Sequence, residues 1–351
     1  MNRVLNSLKT KTMKTILSLL LVIALVSCKK ANTSPTNNSN NNTTNNTTNN
    51  SYSNVNDTCW VNYENIQNAT SVEIDKNDTK WFVTYGLYSF DSKWNFYSST
   101  NAFFNKLKIN PINSEKTLFF NMIGGSFLTT FNGTFNVQDS INQVPSRVFA
   151  LEFDDKGNMW VINGVGGFNN TTAKLINLNN SNVSYNFYSS TFVNEMKFNN
   201  NHLWISLWYS GLAKFDISEN KITEIFNQSN SMIGSNQIVD LVFDNLGNLW
   251  VASEDGGISK YDGKIWENFN SVNSGLLANK TTSIAVDKFN NIWVGTGKGL
   301  SKYNNSNWTN YTPLNSKILD YGILDIAVDK QDNKWIVTEE GVSKLSKTKN
   351  N

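Results

Sequence analysis

Histidine is almost absent from this chain: there is one, His202, among 351 residues, beside two cysteines, four prolines and a charged fraction of only 17%. A single histidine excludes zinc sites built from several imidazoles. It sits in the run Asn199-Asn200-Asn201-His202, just before Leu203-Trp204. That context reads as a tight turn at a strand edge and excludes a phospho-accepting histidine on a kinase helix. Lysine and arginine are nowhere clustered, so the positive stripe that nucleic acid requires is missing. No long 3.6-period amphipathic stretch follows the N-terminus, which excludes a helical domain. There is no G-x-S-x-G, no P-loop, and no G-x-G-x-x-G between strand and helix. Gly295-Thr296-Gly297-Lys298-Gly299 looks phosphate-like alone, but it joins two strand-like runs and reads as a hairpin turn. No cofactor and no metal site is expected.

What the chain does contain is a repeat of about 43 residues. One copy reads Ile284 to Thr312, IAVDKFNNIWVGTGKGLSKYNNSNWTNYT. The copies align on a tryptophan preceded by an aspartate turn: Asp75 to Trp81, Asp154 to Trp160, Asp244 to Trp250, Asp287 to Trp293 and Asp329 to Trp335. Phe198 to Trp204 is a shorter version with Asn199 for the aspartate, and a worn copy between Asn113 and Phe135 places Leu118 near the tryptophan position. That makes seven units. Recurrence at one place in every unit marks the aspartates as hairpin Asx turns rather than calcium loops, which need other ligand spacing and a terminal bidentate Glu.

Each unit holds four short apolar runs separated by Gly, Asn and Asp; in the best copy they are Ser283–Val286, Asn291–Thr296, Gly299–Tyr303 and Asn307–Thr312. Side chains alternate along a strand, and both faces of the second run are apolar, so neighbouring sheets must cover both. The expected fold is an all-β, seven-bladed propeller of four-stranded blades. The seventh unit stops after its third run, at Val342 to Leu345, whereas a spare Trp-x-x-aromatic run, Trp60-Val61-Asn62-Tyr63, precedes the first. The expectation is that Trp60–Tyr63 completes the last blade and closes the ring, leaving no cut edge.

The N-terminus reads as a targeting segment. Arg3, Lys9, Lys11 and Lys14 precede an apolar run, Ile16 to Val26, too short to span a membrane. The sequence Leu25-Val26-Ser27-Cys28 resembles a bacterial lipobox, and the resemblance implies cleavage before Cys28 and its acylation, anchoring the protein to the membrane. The expected organisation is a signal peptide over 1–27, an Asn/Thr/Ser-rich tether over 28–58, a propeller over 59–347 and a tail over 348–351. Loss of the leader leaves two more acidic than basic side chains. With Cys28 acylated, Cys59 is expected to be a lone buried thiol beside Trp60.

The units Val242–Asn270 and Ile284–Thr312, with Asp-x-x-Gly/Asn-Asn-x-Trp-Val, then Gly-Ile/Leu-Ser-Lys-Tyr, then Trp-x-Asn-aromatic, resemble the two-component regulator propeller repeat, as does the connector Asn273–Asn279. The resemblance implies a bacterial envelope protein of Bacteroidetes type, facing periplasm or cell surface from the outer membrane. Its relatives sense glycans for hybrid histidine kinases. The sequence itself carries no kinase or receiver domain, so a signal would pass to a separate kinase. The virginiamycin B lyase family has similar repeats but uses a histidine base with a metal, for which one turn histidine is a poor match.

Candidate ligand-binding residues lie in the loops between second and third strands: Tyr85, Trp208, Tyr209, Glu254, Asp255, Lys298, Glu339 and Glu340. Most units use Gly or small polar residues there, so Trp208-Tyr209 departs from its own repeat, and loop aromatics beside carboxylates suit a glycan or a protein partner. Trp81, Trp160, Trp204, Trp250, Trp293 and Trp335 are assigned to blade packing. The expected protein is a monomer that binds rather than catalyses; the alternative is a lyase or hydrolase using Glu254, Asp255, Glu339 and Glu340 as paired carboxylates.

Overall fold

The computed structural model describes residues 25–27, 58–97, 104–122, 125–137, 147–165, 172–180, 184–187 and 193–347, which contain strands and turns and no helix. The basic leader, Cys28, the tether and the tail at 348–351 lie outside the described residues. Seven antiparallel sheets form, each from consecutive strands except the last. Blades 1 to 6 begin with innermost strands Ser71–Ile74, Phe104–Ile109, Arg147–Phe153, Val193–Asn199, Ile238–Phe243 and Thr281–Val286, and blade 7 begins with Ile323–Val328. Each innermost strand touches the next, and that of blade 7 touches that of blade 1. The seven-bladed propeller read from the repeats is therefore the fold.

Closure takes the expected form. Thr58–Tyr63 pairs with Gly341–Lys347 in the register Trp60↔Leu345 and Tyr63↔Val342. Its aromatics reproduce the other blades. Tyr63 stacks on Trp335 at 5.7 Å as Tyr311 stacks on Trp293 at 5.7 Å. Trp60 meets Tyr311 of the preceding blade edge-on at 5.8 Å, just as Trp266 meets Phe226 at 5.4 Å. Glycine opens the third strand for the same reason in both places: at Gly341 (φ 136) a Cβ would lie 2.7 Å from the Tyr63 carbonyl, and at Gly299 (φ 129) 2.5 Å from that of Tyr311.

Two features differ from expectation at this edge. Leu25–Ser27, read as the end of a leader outside the fold, pairs antiparallel with Thr58–Tyr63 and adds a fifth strand to the closing sheet. An outermost strand presents a row of unpaired N–H and C=O groups, which an extended apolar segment satisfies. Cys59, read as a lone thiol, is disulfide-bonded.

The conserved-looking turn explains the cohesion of each blade. In blades 1, 3, 5, 6 and 7 the aspartate accepts the indole N–H six residues later, at 2.9 to 3.1 Å. Its other oxygen accepts the backbone N–H groups two and four residues on. This is the Asx turn anticipated from sequence, extended by a buried charge-assisted bond to tryptophan. Lysines just before the tryptophan position then cross to the preceding blade: Lys334 reaches Asp287 at 3.1 Å, Lys80 reaches Asp329 at 3.4 Å and Lys116 reaches Asp75 at 3.4 Å. The same ammonium groups lie over the rings of Trp293, Trp335 and Trp81. These three ties fasten the seams on either side of the closing blade and the next one along.

Blade 2 lacks the tryptophan, and its first turn is one residue longer than that of blade 1. Lys108 pairs with Thr117, as Glu73 pairs with Trp81. Thr117 therefore holds the tryptophan position, and the fully buried Leu118, anticipated near it, points one step off into the cluster with Trp81 and Phe131.

Truncating Trp60, 4% exposed, should remove about 3–5 kcal/mol of packing at the closure and lower the melting temperature by roughly 10 °C. A melting curve for Trp60→Ala that overlays the parent would refute the closure.

Candidate functional site

In an antiparallel blade the second-to-third hairpin lies at the end where the innermost strand begins, since Ile238 pairs with Ser253 and Ile323 with Thr338. All eight loop residues singled out from sequence lie at this end. Tyr85 and Tyr209 are 59% and 64% exposed. Trp208 and Tyr209 meet edge-on, with ring centroids 5.8 Å apart. Tyr209 has φ 69, and it is the one residue of positive φ among the described residues that is not Gly, Asn, Asp or Ser. An L side chain with a large Cβ substituent in that region costs roughly 1–2 kcal/mol.

The four carboxylates lie on two separate hairpins, those of blades 5 and 7. Glu254 is bound by Lys280 and its N–H is donated to the Gln237 carbonyl at 3.0 Å. Asp255 is exposed on the same hairpin of blade 5, whereas Glu339 and Glu340 are exposed on blade 7, with blade 6 and its exposed Lys298 between. His202 sits at the opposite end of blade 4, its Nδ1 2.7 Å from the Asn200 carbonyl and its Nε2 3.3 Å from Asp216. It opens the second strand, His202–Leu207, directly after the turn at Asn200 and Asn201 rather than lying in the turn itself.

Sequence reasoning missed the axis of the ring. A cavity of ≈ 280 Å³ runs along the innermost strands, and none of the eight loop residues lines it. The strands of blades 2 to 7 each carry a β-bulge near their start. After the bulge, alternate side chains face the axis. The first such level carries Ser71, Lys106, Ala150, Glu195, Asp240, Ser283 and Asp325; the second carries Glu73, Lys108, Glu152, Lys197, Val242, Ala285 and Ala327. An acid in the middle of the apolar runs IVDLVF and ILDIAV, at one position of the repeat, was the available signal.

The two sides of this channel differ. Toward blades 2 to 4, Lys106 binds Glu195, and Lys108 reaches Glu195 at 3.0 Å and Glu152 at 3.3 Å. Burial works against the charge on Glu195, but Lys106 and Lys108 overcome it and hold the carboxyl well below its usual range. Toward blades 5 to 7 the first-level side chains instead accept backbone N–H groups across the seams. Asp240 accepts Ile284 N–H at 2.9 Å, Ser283 accepts Ile326 N–H at 3.2 Å, and Asp325 accepts Val72 N–H at 2.9 Å. No lysine forms an ion pair with Asp240 or Asp325 among the described residues. Burial first, then the charge of Asp240, pushes Asp325 up to about 6; burial and Glu195 likewise raise Asp240. Among the described residues no group of three or more His, Cys, Asp or Glu is placed to hold a metal ion.

Residues 275–298 match the family model described as two component regulator propeller, the family resemblance carried by the repeats. No curated protein matches the sequence. Among solved structures, the fold is similar to virginiamycin B lyase from Staphylococcus aureus, at 13% identity and TM-score 0.63, covering 83% of this chain and 99% of that one. It is also similar to the extracellular domain described as a hybrid two-component system of B. thetaiotaomicron, at 18% identity and TM-score 0.58, covering 80% of this chain but only 38% of that one. A third similarity is to PorZ, described as a surface component of the type-IX secretion system of Porphyromonas gingivalis, at 18% identity and TM-score 0.59, covering 82% and 45%. At these identities the likeness is one of fold.

Asp325 gives the channel a testable pH signature. Its folded value of about 6 lies above the ordinary carboxyl value of 3.8. The native state therefore binds this proton more tightly than the unfolded chain does. The associated stability is complete below the unfolded value and is lost as pH rises through 6, a change on the order of 2–3 kcal/mol. Asp325→Asn loses one acceptor at every pH, so its stability relative to the parent should still improve between pH 4.5 and pH 7.5. A constant difference in melting temperature at the two pH values would show that Asp325 does not titrate in this window.

Proposed function

We propose that this chain is a lipid-anchored protein of a bacterial envelope whose propeller binds a glycan, an envelope component or a partner protein through its hairpin face, without catalysing a reaction. The observation that carries the reading is Tyr209. A tyrosine kept in a left-handed conformation at an exposed hairpin tip, in edge contact with Trp208, gives nothing to the turn that glycine or asparagine would not give better. Strain of this kind concentrates where a side chain must be presented. Two aromatic faces beside Glu254, Asp255 and the more distant Tyr85 suit the stacking and hydroxyl contacts of a sugar ring, or the hot spots of a protein interface.

The likeness to an extracellular two-component domain and to a surface secretion component supports an envelope location. Signalling through a separate sensor kinase would use the same face. A lyase or hydrolase is the second reading, favoured by the lyase fold and the loop acids. Against it, the carboxylates are split between blades 5 and 7, and Glu254 is held by Lys280. A histidine-to-alanine variant of the virginiamycin B lyase is described as catalytically inactive, and the one histidine here lies at the other end of its blade.

Two experiments address these proposals. In a thermal-shift screen of the full chain against polysaccharide fragments and envelope components, a ligand should raise the melting point of the parent and not of Trp208→Ala. Tyr209→Gly should melt no lower than the parent yet lose the same shift, separating presentation from folding. If no ligand produces a shift, or both variants respond like the parent, the hairpin site is wrong. For the anchor, mass spectrometry of the membrane-extracted protein should find an acylated Cys28 as its first residue. A mature chain whose first residue is not an acylated Cys28 on mass spectrometry would exclude the lipoprotein reading.

A further inference from the structure

We propose that the axial cavity beside blades 5 to 7 is a second binding site, distinct from the hairpin aromatics, that takes a small organic amine in its ammonium form. The shape of the cavity comes from residue size. At the second level of the channel, blades 1 to 4 fill the axis with Glu73, Lys108, Glu152 and Lys197, whereas blades 5 to 7 offer only Val242, Ala285 and Ala327. Space is thus left on one side, over an apolar floor that accepts an alkyl body. The cavity extends to Val239, Thr282 and Leu324, the bulge residues at the strand starts, and so reaches the hairpin face.

The charge of the ligand follows from what remains unmatched. Lys106 and Lys108 are engaged by Glu195, Glu152 and Glu73, leaving Lys197 as the one further ammonium against Asp240 and Asp325. Five carboxylates face three ammonium groups. An anion approaching Lys197 would meet Glu73, Glu195 and Asp240, whose charges Lys197 already offsets. A cation meets Asp240 and Asp325 on the near wall, while of the three lysines that line the cavity Lys106 and Lys108 are already ion-paired. Blade 6 places Ser283 between the two aspartates, its hydroxyl donating to Asp325 Oδ1 at 3.0 Å, so no competing charge stands between them. The hydrogen bonds that Asp240 and Asp325 accept from the next blades fix both carboxylates in place, and an ionised carboxylate has lone pairs to spare beyond them. Rigid, desolvated acceptors bind a cation with little reorganisation. Burial and then the charge of Asp240 raise Asp325; an amine offsets both, so binding should strengthen as that group ionises.

Isothermal titration calorimetry of the full chain with n-butylamine, 1-butanol and calcium chloride tests the assignment. At pH 7.5 n-butylamine should bind, 1-butanol should not, and affinity for the amine should fall roughly tenfold at pH 5. Asp240→Asn and Asp325→Asn should each weaken the amine roughly tenfold or more, while their melting curves at pH 7.5 report that they are folded. Trp208→Ala should leave amine binding unchanged, which separates failure here from failure of the hairpin site. Equal binding of 1-butanol would mean an apolar hole without charge selection. Binding of calcium in place of the amine would make it a metal site, and no heat with the amine would leave the acids with their seam role only. Each of these three results overturns the proposal.

Discussion

The hydrogen bond from a buried indole N–H to an aspartate six residues earlier is the contact on which the rest of this fold depends. It closes the first hairpin of five blades, and it places a carboxylate at 5% exposure or little more beside a fully covered ring. A buried carboxylate needs compensation. The turn supplies two backbone N–H groups, the asparagine two residues before the tryptophan adds its side chain in blades 3, 5, 6 and 7, and at three seams a lysine of the next blade completes the set. The local turn thus becomes the means by which one blade holds its neighbour. Blade 4, with Asn199 and a two-residue turn at Asn200 and Asn201, replaces this by the pairing of His202 with Asp216.

Much of this was legible because it is local. An aspartate, a turn and a tryptophan within seven residues state their own geometry, and a Trp-x-x-aromatic run with no partners in the first unit matches a gap in the last. Thr117 was not legible: the longer turn of blade 2 shifts the register by one residue, and only pairing with Lys108 shows which residue takes the tryptophan position. The channel was not legible either. Glu73, Lys108, Glu195, Asp240 and Asp325 lie on five different blades, more than 30 residues apart in sequence for each successive pair. Their meeting is a property of the closed ring. The bulge that precedes these positions in blades 2 to 7 leaves no sequence signature of its own in the strands.

The loop residues chosen from sequence illustrate the complementary limit. Sequence could identify Trp208 and Tyr209 as departures from the repeat, because the neighbouring units supply an internal standard. It could not tell that Tyr209 adopts a left-handed backbone, nor that Lys280 of the following connector occupies Glu254. The first observation strengthens the case for presentation of the aromatic pair, and the second weakens the case for a catalytic acid at that hairpin.

Seven innermost strands arranged in a ring leave space on the axis that no single blade can fill, and this constraint links stability to any activity the protein has. Along blades 1 to 4 the space is occupied by long charged side chains that neutralise one another, which holds the ring together at the expense of access. Along blades 5 to 7 the same positions are Val, Ala and Ala, and cohesion passes instead to short acceptors bonded across the seams. Replacing Ala285 or Ala327 by a larger apolar residue would fill the void and satisfy packing. The chain instead keeps the void beside two carboxylates whose ionisation burial opposes. Neither feature is required by the turn–tryptophan framework, which is complete in blades 5, 6 and 7. A scaffold whose cohesion is secured at the periphery is free to leave its axis underfilled, and the difference between the two halves of the channel is where that freedom has been used.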